Sequence, residues 1–182
     1  RGSVSEMLRK LAERGLVHHE PYGTIHLTDE GRQRAQFLSR RQRLWEVFLF
    51  EHLGLGWDQV FTEACRLEHS TSELVTEKLA EFLDHPEHCP HGYPIPLADG
   101  EPAIRPALPS LADLAPGQKG QIACITGRRP EVLRYLTDLG LVPGATVEVE
   151  DKAPFGGPIT LHLGETSKAI SLEIALMIMI EL

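Results

Sequence analysis

The sequence contains no run of apolar residues that approaches the roughly 20 needed to cross a bilayer as a helix. It also lacks the basic and then apolar start that is typical of a secretion signal. The chain has only three cysteines, which are spread singly along it as Cys65, Cys89 and Cys124. A small, odd number of separated cysteines disfavours a disulfide framework. We therefore expect a cytoplasmic protein with no membrane partner.

Several fingerprints of common enzymes are missing as well. The sequence has no phosphate-binding glycine loop, no dinucleotide-binding fingerprint and no recognisable pairing of a nucleophile with a base. A hydrophobic content of 42% with 24% charged residues is typical of folded globular protein rather than of a disordered chain. A length of 182 residues exceeds one typical domain. We expect two or three small domains and no enzymatic activity.

Negative charge dominates the chain as a whole, but one end is basic. The net charge is −8, yet residues 1–45 hold 9 Lys and Arg against 5 Asp and Glu, while residues 46–182 hold 9 against 21. A basic segment joined to an acidic body fits a protein that places one end on phosphate. Arginines on solvated helix faces would give the same counts. The chain begins at Arg1 rather than at methionine, within what reads as a motif, so we expect further residues before it.

The first 31 residues have the order helix, hairpin, helix. Ser3 and Glu6 have capping-box spacing, and residues 16–19 and 24–27 read as two short strands. This order is the back half of a winged helix, whose first helix would face the major groove of DNA. The residues expected to face DNA are Ser3, Ser5, Glu6, Arg9 and Lys10. A small α+β packing unit would have the same order of elements.

Three helices with wide apolar faces are predicted next, at residues 29–53, 58–70 and 70–83. Asp58 and Ser70 are the predicted caps of the second and third helices. The residues expected to be buried are Phe37, Leu38, Leu44, Trp45, Phe48, Leu49, Leu74, Val75, Leu79 and Phe82. Apolar stripes of this width on the long helices favour a homodimer interface.

The pattern changes in the second half of the chain. Residues 84–109 are rich in proline and glycine and read as a turn followed by a linker. From Leu111 onward the apolar residues alternate with period two. The predicted strands are residues 120–126, 146–150, 159–163 and 178–182, and the predicted helices are residues 130–139 and a brief one at Ser171. Short strands with glycine and proline turns indicate a small SH3-like β-barrel, in which Cys124 is a core residue.

One face of the helix around residues 61–69 carries candidate metal ligands. Cys65, Glu68 and His69 share this face because residues three and four apart are neighbours on a helix. A thiolate, a carboxylate and an imidazole within one turn offer three ligands to a divalent transition metal. Glu46 on the preceding helix could approach the same region. Alternatively, Cys65 is a small buried hydrophobic residue, and Glu68 and His69 bond each other.

A second cluster of candidate donors lies in the proline-bounded loop near residue 90. Its members are His85, His88, Cys89 and His91. Dense Cys and His spacing suggests zinc. Four donors crowded between prolines nevertheless make a poor tetrahedral cage by themselves.

The motifs taken together resemble a known family. Residues 1–96 resemble the iron-dependent repressor family, of the diphtheria toxin repressor and manganese-responsive type, most specifically in Glu63-Ala64-Cys65-Arg66-Leu67-Glu68-His69. Further matches are residues 4–17, 27–31 and 92–96. Residues 111–182 resemble the SH3-like domain shared with small ferrous-transport accessory proteins, in residues 139–144 and 153–158.

This resemblance implies a homodimeric repressor that binds double-stranded operator DNA when Fe²⁺, or alternatively Mn²⁺, is plentiful, and that controls metal-uptake genes. Cys65, Glu68 and His69 would be ligands of its regulatory metal site, and Glu46 a ligand of a second site. Gln42 and Phe61 stand where the family has histidines in that second site, so we expect it to be weak, rebuilt or absent. The soft thiolate of Cys65 favours iron over manganese.

The expected fold is a multidomain α+β chain. Residues 1–35 would form a partial winged helix-turn-helix, residues 36–96 an all-α metal-binding and dimerisation domain, residues 97–109 a linker and residues 110–182 an SH3-like β-barrel. A different class of function stays open: a dimeric interaction module that regulates a membrane iron transporter, with vestigial DNA binding.

Overall fold

The computed structural model describes residues 3–19, 23–99 and 107–182. The turn predicted at Pro21 and Tyr22 and the central part of the predicted linker lie outside the described residues. In the described part of the chain, no helix is long and apolar enough to cross a membrane.

The N-terminal elements have the predicted winged order. Helix α1 spans Val4–Glu13, and strands β1 (Val17–His19) and β2 (Ile25–Leu27) pair in antiparallel fashion before helix α2 (Asp29–Glu51) begins. Ser3 caps α1 by accepting a hydrogen bond from the Glu6 N–H, as its spacing predicts. The hairpin lies tightly against the start of α2, because a Cβ on Gly31 would stand 2.0 Å from the carbonyl oxygen of Leu16.

The helical unit comprises α2, α3 (Val60–Glu68), α4 (Glu73–Phe82) and the loop of residues 84–97 that follows. Its two small cores are formed by Leu44, Val47, Leu79, Ala80, Cys89 and Ile95, and by Leu49, Val60 and Ala64. Both predicted caps were wrong. Helix α3 follows Gln59, and Asp58 instead forms an ion pair with Arg134 at 3.4 Å. Helix α4 is capped by Ser72, which accepts from the Val75 N–H.

Four residues that the apolar pattern places in the core are exposed. These are Leu38, Leu74, Val75 and Phe82. The last three lie on the outer side of α4, where Phe48 and Leu79 continue the same apolar surface. Helical spacing identifies an apolar stripe correctly, but it does not say whether the partner of that stripe is in the same chain.

The SH3-like unit follows a short 3₁₀ turn at Leu111–Asp113. Its strands are β3 (Lys119–Ile125), β4 (Thr146–Lys152), β5 (Ile159–Leu163), β6 (Thr166–Ile170) and β7 (Ile178–Glu181), and its helices are α5 (Pro130–Leu139) and α6 (Leu172–Ala175). The strands form one antiparallel sheet in the order β6-β5-β4-β3-β7. Strand β6 escaped the sequence interpretation because, at the edge of the sheet, it buries only its last residue and so lacks apolar alternation.

The two units touch through an extended junction. Trp57 of the helical unit packs into the core of the SH3-like unit, and its indole N–H donates to the carbonyl oxygen of Pro90 at 3.0 Å. The Ile125 N–H on β3 donates to the carbonyl oxygen of His91. Gly92 has a φ of 79°, and a Cβ there would stand 1.9 Å from the carbonyl oxygen of Ala123. The backbones therefore meet too closely to admit a side chain.

Candidate metal centres and DNA-facing helix

The last turn of α3 brings Cys65, Glu68 and His69 together. One donor atom from each residue lies within 4.8 Å of the other two. Nδ1 of His69 is 3.2 Å from Oε1 of Glu68, and His69 itself is the C-terminal cap of the helix. We call this group the open triad, because His69 is exposed and Cys65 is half-buried while only Glu68 is buried.

One oxygen of the Glu68 carboxylate lacks a hydrogen-bond partner in the described part of the chain. Its Oε2 atom is buried and has no hydrogen-bond partner among the described residues. Burying a charged oxygen in this way is costly unless a cation or a donor compensates it. A metal ion held between the thiolate, the carboxylate and the imidazole would supply that compensation, so the residues present fit a divalent transition metal.

Glu46 does not belong to this group, although its place on the preceding helix suggested that it could approach the same region, and its role as a ligand of a second site stays a prediction. Its side chain leaves α2 in the direction of the loop after α4, where it meets Cys89 and His91, whose donor atoms lie within the same 4.8 Å limit. We call this second group the closed triad, because all three of its residues are buried. The described part of the chain thus holds two groups of the same composition: one thiol, one carboxylate and one imidazole.

Every polar group of the closed triad already has a protein partner. Oε1 of Glu46 accepts from the side-chain amide of Gln42 at 3.0 Å, and Oε2 lies 3.1 Å from Nδ1 of His91. The other ring nitrogen of His91 lies 3.1 Å from the carbonyl oxygen of Trp57. Burial raises the pKa of Glu46, but the hydrogen bond and charge of His91, with further hydrogen bonds from Cys89 and Gln42, hold that pKa below its ordinary value.

Two features make the closed triad a poorer cation site than the open one. Burial and the neighbouring charge of Glu46 raise the pKa of the Cys89 thiol to about 12, and metal binding requires the thiolate. The guanidinium of Arg43 places a positive charge near the closed triad, where it interacts electrostatically with both Glu46 and Cys89. A metal ion would have to displace the proton of Cys89 and bind beside this cation.

Helix α1 presents the residues predicted to face DNA. Ser3, Ser5, Arg9 and Lys10 are exposed, Glu6 is half-buried and the helix buries no residue at all. Arg9 pairs with Glu13 and Lys10 with Glu6, each at 3.0 Å and on the exposed side. Such exposed pairs are weak, so both cations can exchange their partner for a phosphate.

The chain is similar to known proteins over nearly its whole length. Residues 28–97 match the family described as iron dependent repressor, metal binding and dimerisation domain, and residues 110–182 match the FeoA domain. The chain is 32% identical over 192 residues to the iron-dependent repressor IdeR of Mycobacterium tuberculosis, covering 98% of the chain and 82% of that protein. The chain belongs to the iron-dependent repressor family.

Two further proteins are similar to most of the chain. The diphtheria toxin repressor of Corynebacterium glutamicum is 29% identical over 177 residues, covering 92% of the chain and 77% of the relative. A solved manganese-dependent transcriptional repressor in complex with manganese aligns with a TM-score of 0.90 and 36% identity, covering 97% of the chain and 82% of that structure. The likeness therefore extends over the winged, helical and SH3-like parts of this repressor-family chain.

The sequence identified the three donors of the closed triad but not their combination. Of the four donors proposed for a zinc cluster, only Cys89 and His91 come together, while His85 and His88 are exposed and lie outside both triads. Their partner Glu46 is 45 residues from His91, and no local spacing signals that contact. The signal in the sequence was the dense spacing of Cys and His donors around residue 90, which identifies Cys89 and His91 but not Glu46.

Proposed function

We propose that this chain is a metal-dependent transcriptional repressor that binds operator DNA as a homodimer when Fe²⁺ or Mn²⁺ occupies the open triad. The observation that carries the proposal is the buried, unpartnered Oε2 atom of Glu68 between a thiol and an imidazole. Membership of the repressor family supports both the metal and the DNA. No catalytic role is proposed for the chain.

In this proposal, Cys65, Glu68 and His69 hold the regulatory metal. A bound divalent cation would supply positive charge to the buried carboxylate and would fix the end of α3. Arg41 of α2 reaches the same helix end, because its Nη1 donates to the carbonyl oxygen of Glu68 at 3.3 Å. The site is thereby linked to the long helix that leads directly back to the hairpin and α1.

The proposed DNA contact is made by α1, with the hairpin of β1 and β2 as the wing. Positive charge at this end supports it, since residues 1–45 hold 9 Lys and Arg against 5 Asp and Glu. Ser5, Arg9 and Lys10 are exposed at the start and middle of α1, the part of a recognition helix that reaches the major groove. Two copies of α1 would have to reach two half-sites at once, so their spacing decides whether the operator is bound.

The proposed dimer interface is the apolar surface of α2 and α4. Its residues are Phe48, Leu74, Val75, Leu79 and Phe82, with Lys78 at the rim. Leu74 is 71% exposed and Phe82 is 62% exposed in the single chain, which is unusual for neighbouring large apolar residues. A second copy of the chain is the proposed occupant, because the matched family region is described as a dimerisation domain.

The dimer proposal predicts that Leu74→Glu produces a monomer, which sedimentation velocity would detect. Each substitution enters a two-fold interface twice, so its cost is doubled. Leu176→Glu is the matched control, since Leu176 is an exposed leucine of the SH3-like unit. A Leu74→Glu variant that still sediments as the wild-type dimer would place the interface elsewhere.

In this proposal, each domain of the chain has its own function. Residues 1–35 would read DNA, residues 36–96 would bind metal and dimerise, residues 97–109 would connect, and residues 110–182 would form the SH3-like domain.

A fluorescence anisotropy titration with promoter DNA tests the function directly. We expect tight binding with Mn²⁺ or Fe²⁺ and loss of that binding in His69→Ala, which keeps its dimer. His85→Ala is the control, since His85 is an exposed histidine outside both triads. Metal-independent binding, or an unchanged titration of His69→Ala, would contradict the proposal. If the protein bound no promoter fragment but did bind the cytoplasmic domain of a membrane iron transporter, the interaction-module alternative would be favoured.

A further inference from the structure

Arg128 crosses the junction between the helical unit and the SH3-like unit. It lies between β3 and α5, and its guanidinium carbon is 4.4 Å from the centre of the Phe61 ring on α3. The same guanidinium lies 5.3 Å from the centre of the Tyr93 ring. A cation within about 6 Å of an aromatic ring face is attracted by the electrons of that ring. One side chain of the SH3-like unit is therefore held by two rings of the helical unit.

The Tyr93 ring is shared by two cations. Arg43 of α2 also lies 5.3 Å from its centre, and Arg43 bonds the carbonyl oxygen of the following residue, Pro94. Burial lowers the pKa of Arg43, and the like charge of the nearby Arg128 contributes in the same direction. The series Phe61, Arg128, Tyr93, Arg43 thus runs without interruption from α3 through the SH3-like unit to α2.

Three further contacts across this junction also form between protein groups, without a metal ion. Trp57 is buried in the core of the SH3-like unit, Asp58 pairs with Arg134 at 3.4 Å, and the Ile125 N–H donates to the carbonyl oxygen of His91 at 3.2 Å. Asp58 is largely shielded from solvent, which strengthens its ion pair relative to an exposed one. Each of these contacts joins protein groups directly.

We propose that the Phe61–Arg128–Tyr93 contact, which we call the arginine clamp, holds the SH3-like unit against the helical unit whether or not metal is bound. The clamp makes Arg128 a positioning residue: it fixes the SH3-like unit and touches neither triad's ligand atoms. Phe61 then serves as the ring that receives this cation. The clamp goes beyond the proposed repressor function, since it concerns the assembly of the two units and not their DNA binding.

Hydrogen–deuterium exchange of the full chain in the presence of a chelator tests the clamp. The reporter is the Ile125 amide, whose hydrogen bond crosses the junction. Arg128→Met removes the cation and keeps much of the side-chain length, and Phe61→Leu removes one ring. Arg129→Met is the matched control, because Arg129 is the neighbouring arginine and pairs with Glu173 inside the SH3-like unit.

We expect the Ile125 amide of the chelated wild type to be protected, and Mn²⁺ to leave that protection unchanged. Arg128→Met should raise its exchange rate by a factor of about 2 to about 30, the range that corresponds to one cation–π contact. Arg129→Met should not. The double variant Arg128→Met/Phe61→Leu should lose little more protection of the Ile125 amide than Arg128→Met alone, because Arg128→Met already removes the contact with the Phe61 ring.

Two results would overturn the clamp. The first is an Ile125 amide that is unprotected in chelator and becomes protected when Mn²⁺ is added, since metal would then close the junction. The second is an Arg128→Met variant that exchanges like Arg129→Met. Both outcomes are independent of promoter binding, so a failure of the clamp is distinguishable from a failure of the repressor proposal.

Discussion

The open triad and the closed triad contain the same three kinds of donor, yet they lie in opposite surroundings. In the open triad, Oε2 of Glu68 is buried without a partner among the described residues, and His69 faces solvent. In the closed triad, both oxygens of Glu46 and both ring nitrogens of His91 already have polar protein neighbours. Among the described residues, the open triad therefore has an unpartnered carboxylate oxygen and an exposed imidazole, whereas the carboxylate and the imidazole of the closed triad are partnered and buried.

This difference shows that donor identity alone does not define a metal site. A site also needs a buried ligand atom that the protein leaves without a partner, and a route by which the cation enters. The open triad has both. The closed triad has its carboxylate satisfied, its thiol protonated and a guanidinium beside it. We infer that metal occupies the open triad first, and that the closed triad is an internal hydrogen-bonded support for the loop of residues 84–97.

The largest expected difference between the triads is in thiol reactivity. At about pH 8, a pKa of about 12 leaves about one Cys89 side chain in 10,000 as the reactive thiolate. Cys65 is half-buried, whereas Cys89 is buried, so the Cys65 thiol is the more accessible of the two. We expect iodoacetamide to alkylate Cys65 much faster than Cys89 in chelated native protein, as measured by peptide mass spectrometry.

The control for thiol reactivity is the same reaction in denaturant, where both cysteines should react. Mn²⁺ or Fe²⁺ should protect Cys65 in the native protein. Comparable native rates for the two thiols would remove the distinction between the triads.

Metal affinity should separate the triads next. Glu68→Gln keeps the size of the side chain and removes the charge that a cation would neutralise. We expect it to weaken Mn²⁺ binding by about 100-fold or more, since even changes outside the ligand shell cost about 10- to 100-fold. Isothermal titration calorimetry would measure this loss.

Two matched variants sharpen the affinity comparison. Glu46→Gln should leave the first equivalent of metal nearly unchanged, because Glu46 lies in the closed triad. Glu63→Gln should also leave the first equivalent of metal nearly unchanged. Glu63 lies on the same helix as Glu68 but is more exposed, and it pairs with Arg66. A larger loss in Glu46→Gln than in Glu68→Gln would reverse the order of the two sites.

A smaller effect is expected in the dependence of stability on pH. The pKa of Glu46 is lowered in the folded protein from an ordinary value of 4.5, so its contribution to the free energy of unfolding is fully present above about pH 4.5. That contribution is lost as the pH falls through the lower, folded-state pKa. Glu46→Gln should therefore reduce the loss of stability on acidification below about pH 4.5, in urea titrations with chelator present.

Glu63→Gln is again the control for the pH experiment. It should retain the full acid sensitivity of the wild type. If Glu46→Gln showed the same acid sensitivity as the wild type, the carboxylate of the closed triad would not be held by the contacts described.

The smallest expected effect comes from removing the cation beside the closed triad. Arg43→Met should raise the affinity for a second equivalent of metal by several-fold, because less positive charge then opposes a cation near Glu46 and Cys89. Arg66→Met, a change on the far side of the open triad's helix, should not. A second site that stays equally weak in Arg43→Met would show that the guanidinium is not what limits it.

The sequence predicted the elements that have local signatures. Ser3 and Ser171 cap their helices as expected, and helix α5 and strand β5 have the predicted bounds. Cys124 is buried in its strand. Each of these features depends on residues within a few positions of one another, so spacing and capping preferences are sufficient to find it.

Features that depend on distant contacts were missed. Glu46 was named as a residue that could approach the region of Cys65, Glu68 and His69, but its carboxylate contacts His91, which is 45 residues away along the chain. Val75 and Phe82 were expected inside, but both are exposed, and no other segment of the described residues covers them. Phe61 could be recognised as a departure from the family, yet its role as the ring beneath Arg128 depends on how the two units meet.

A cobalt(II) titration of the full-length protein tests the central claim most directly. The ligand-to-metal band of a cobalt thiolate reports which cysteine is bound. We predict a band that saturates at one equivalent, vanishes in Cys65→Ser and survives in Cys89→Ser. A band that survives in Cys65→Ser and vanishes in Cys89→Ser would contradict the account, because it would place the first metal in the closed triad.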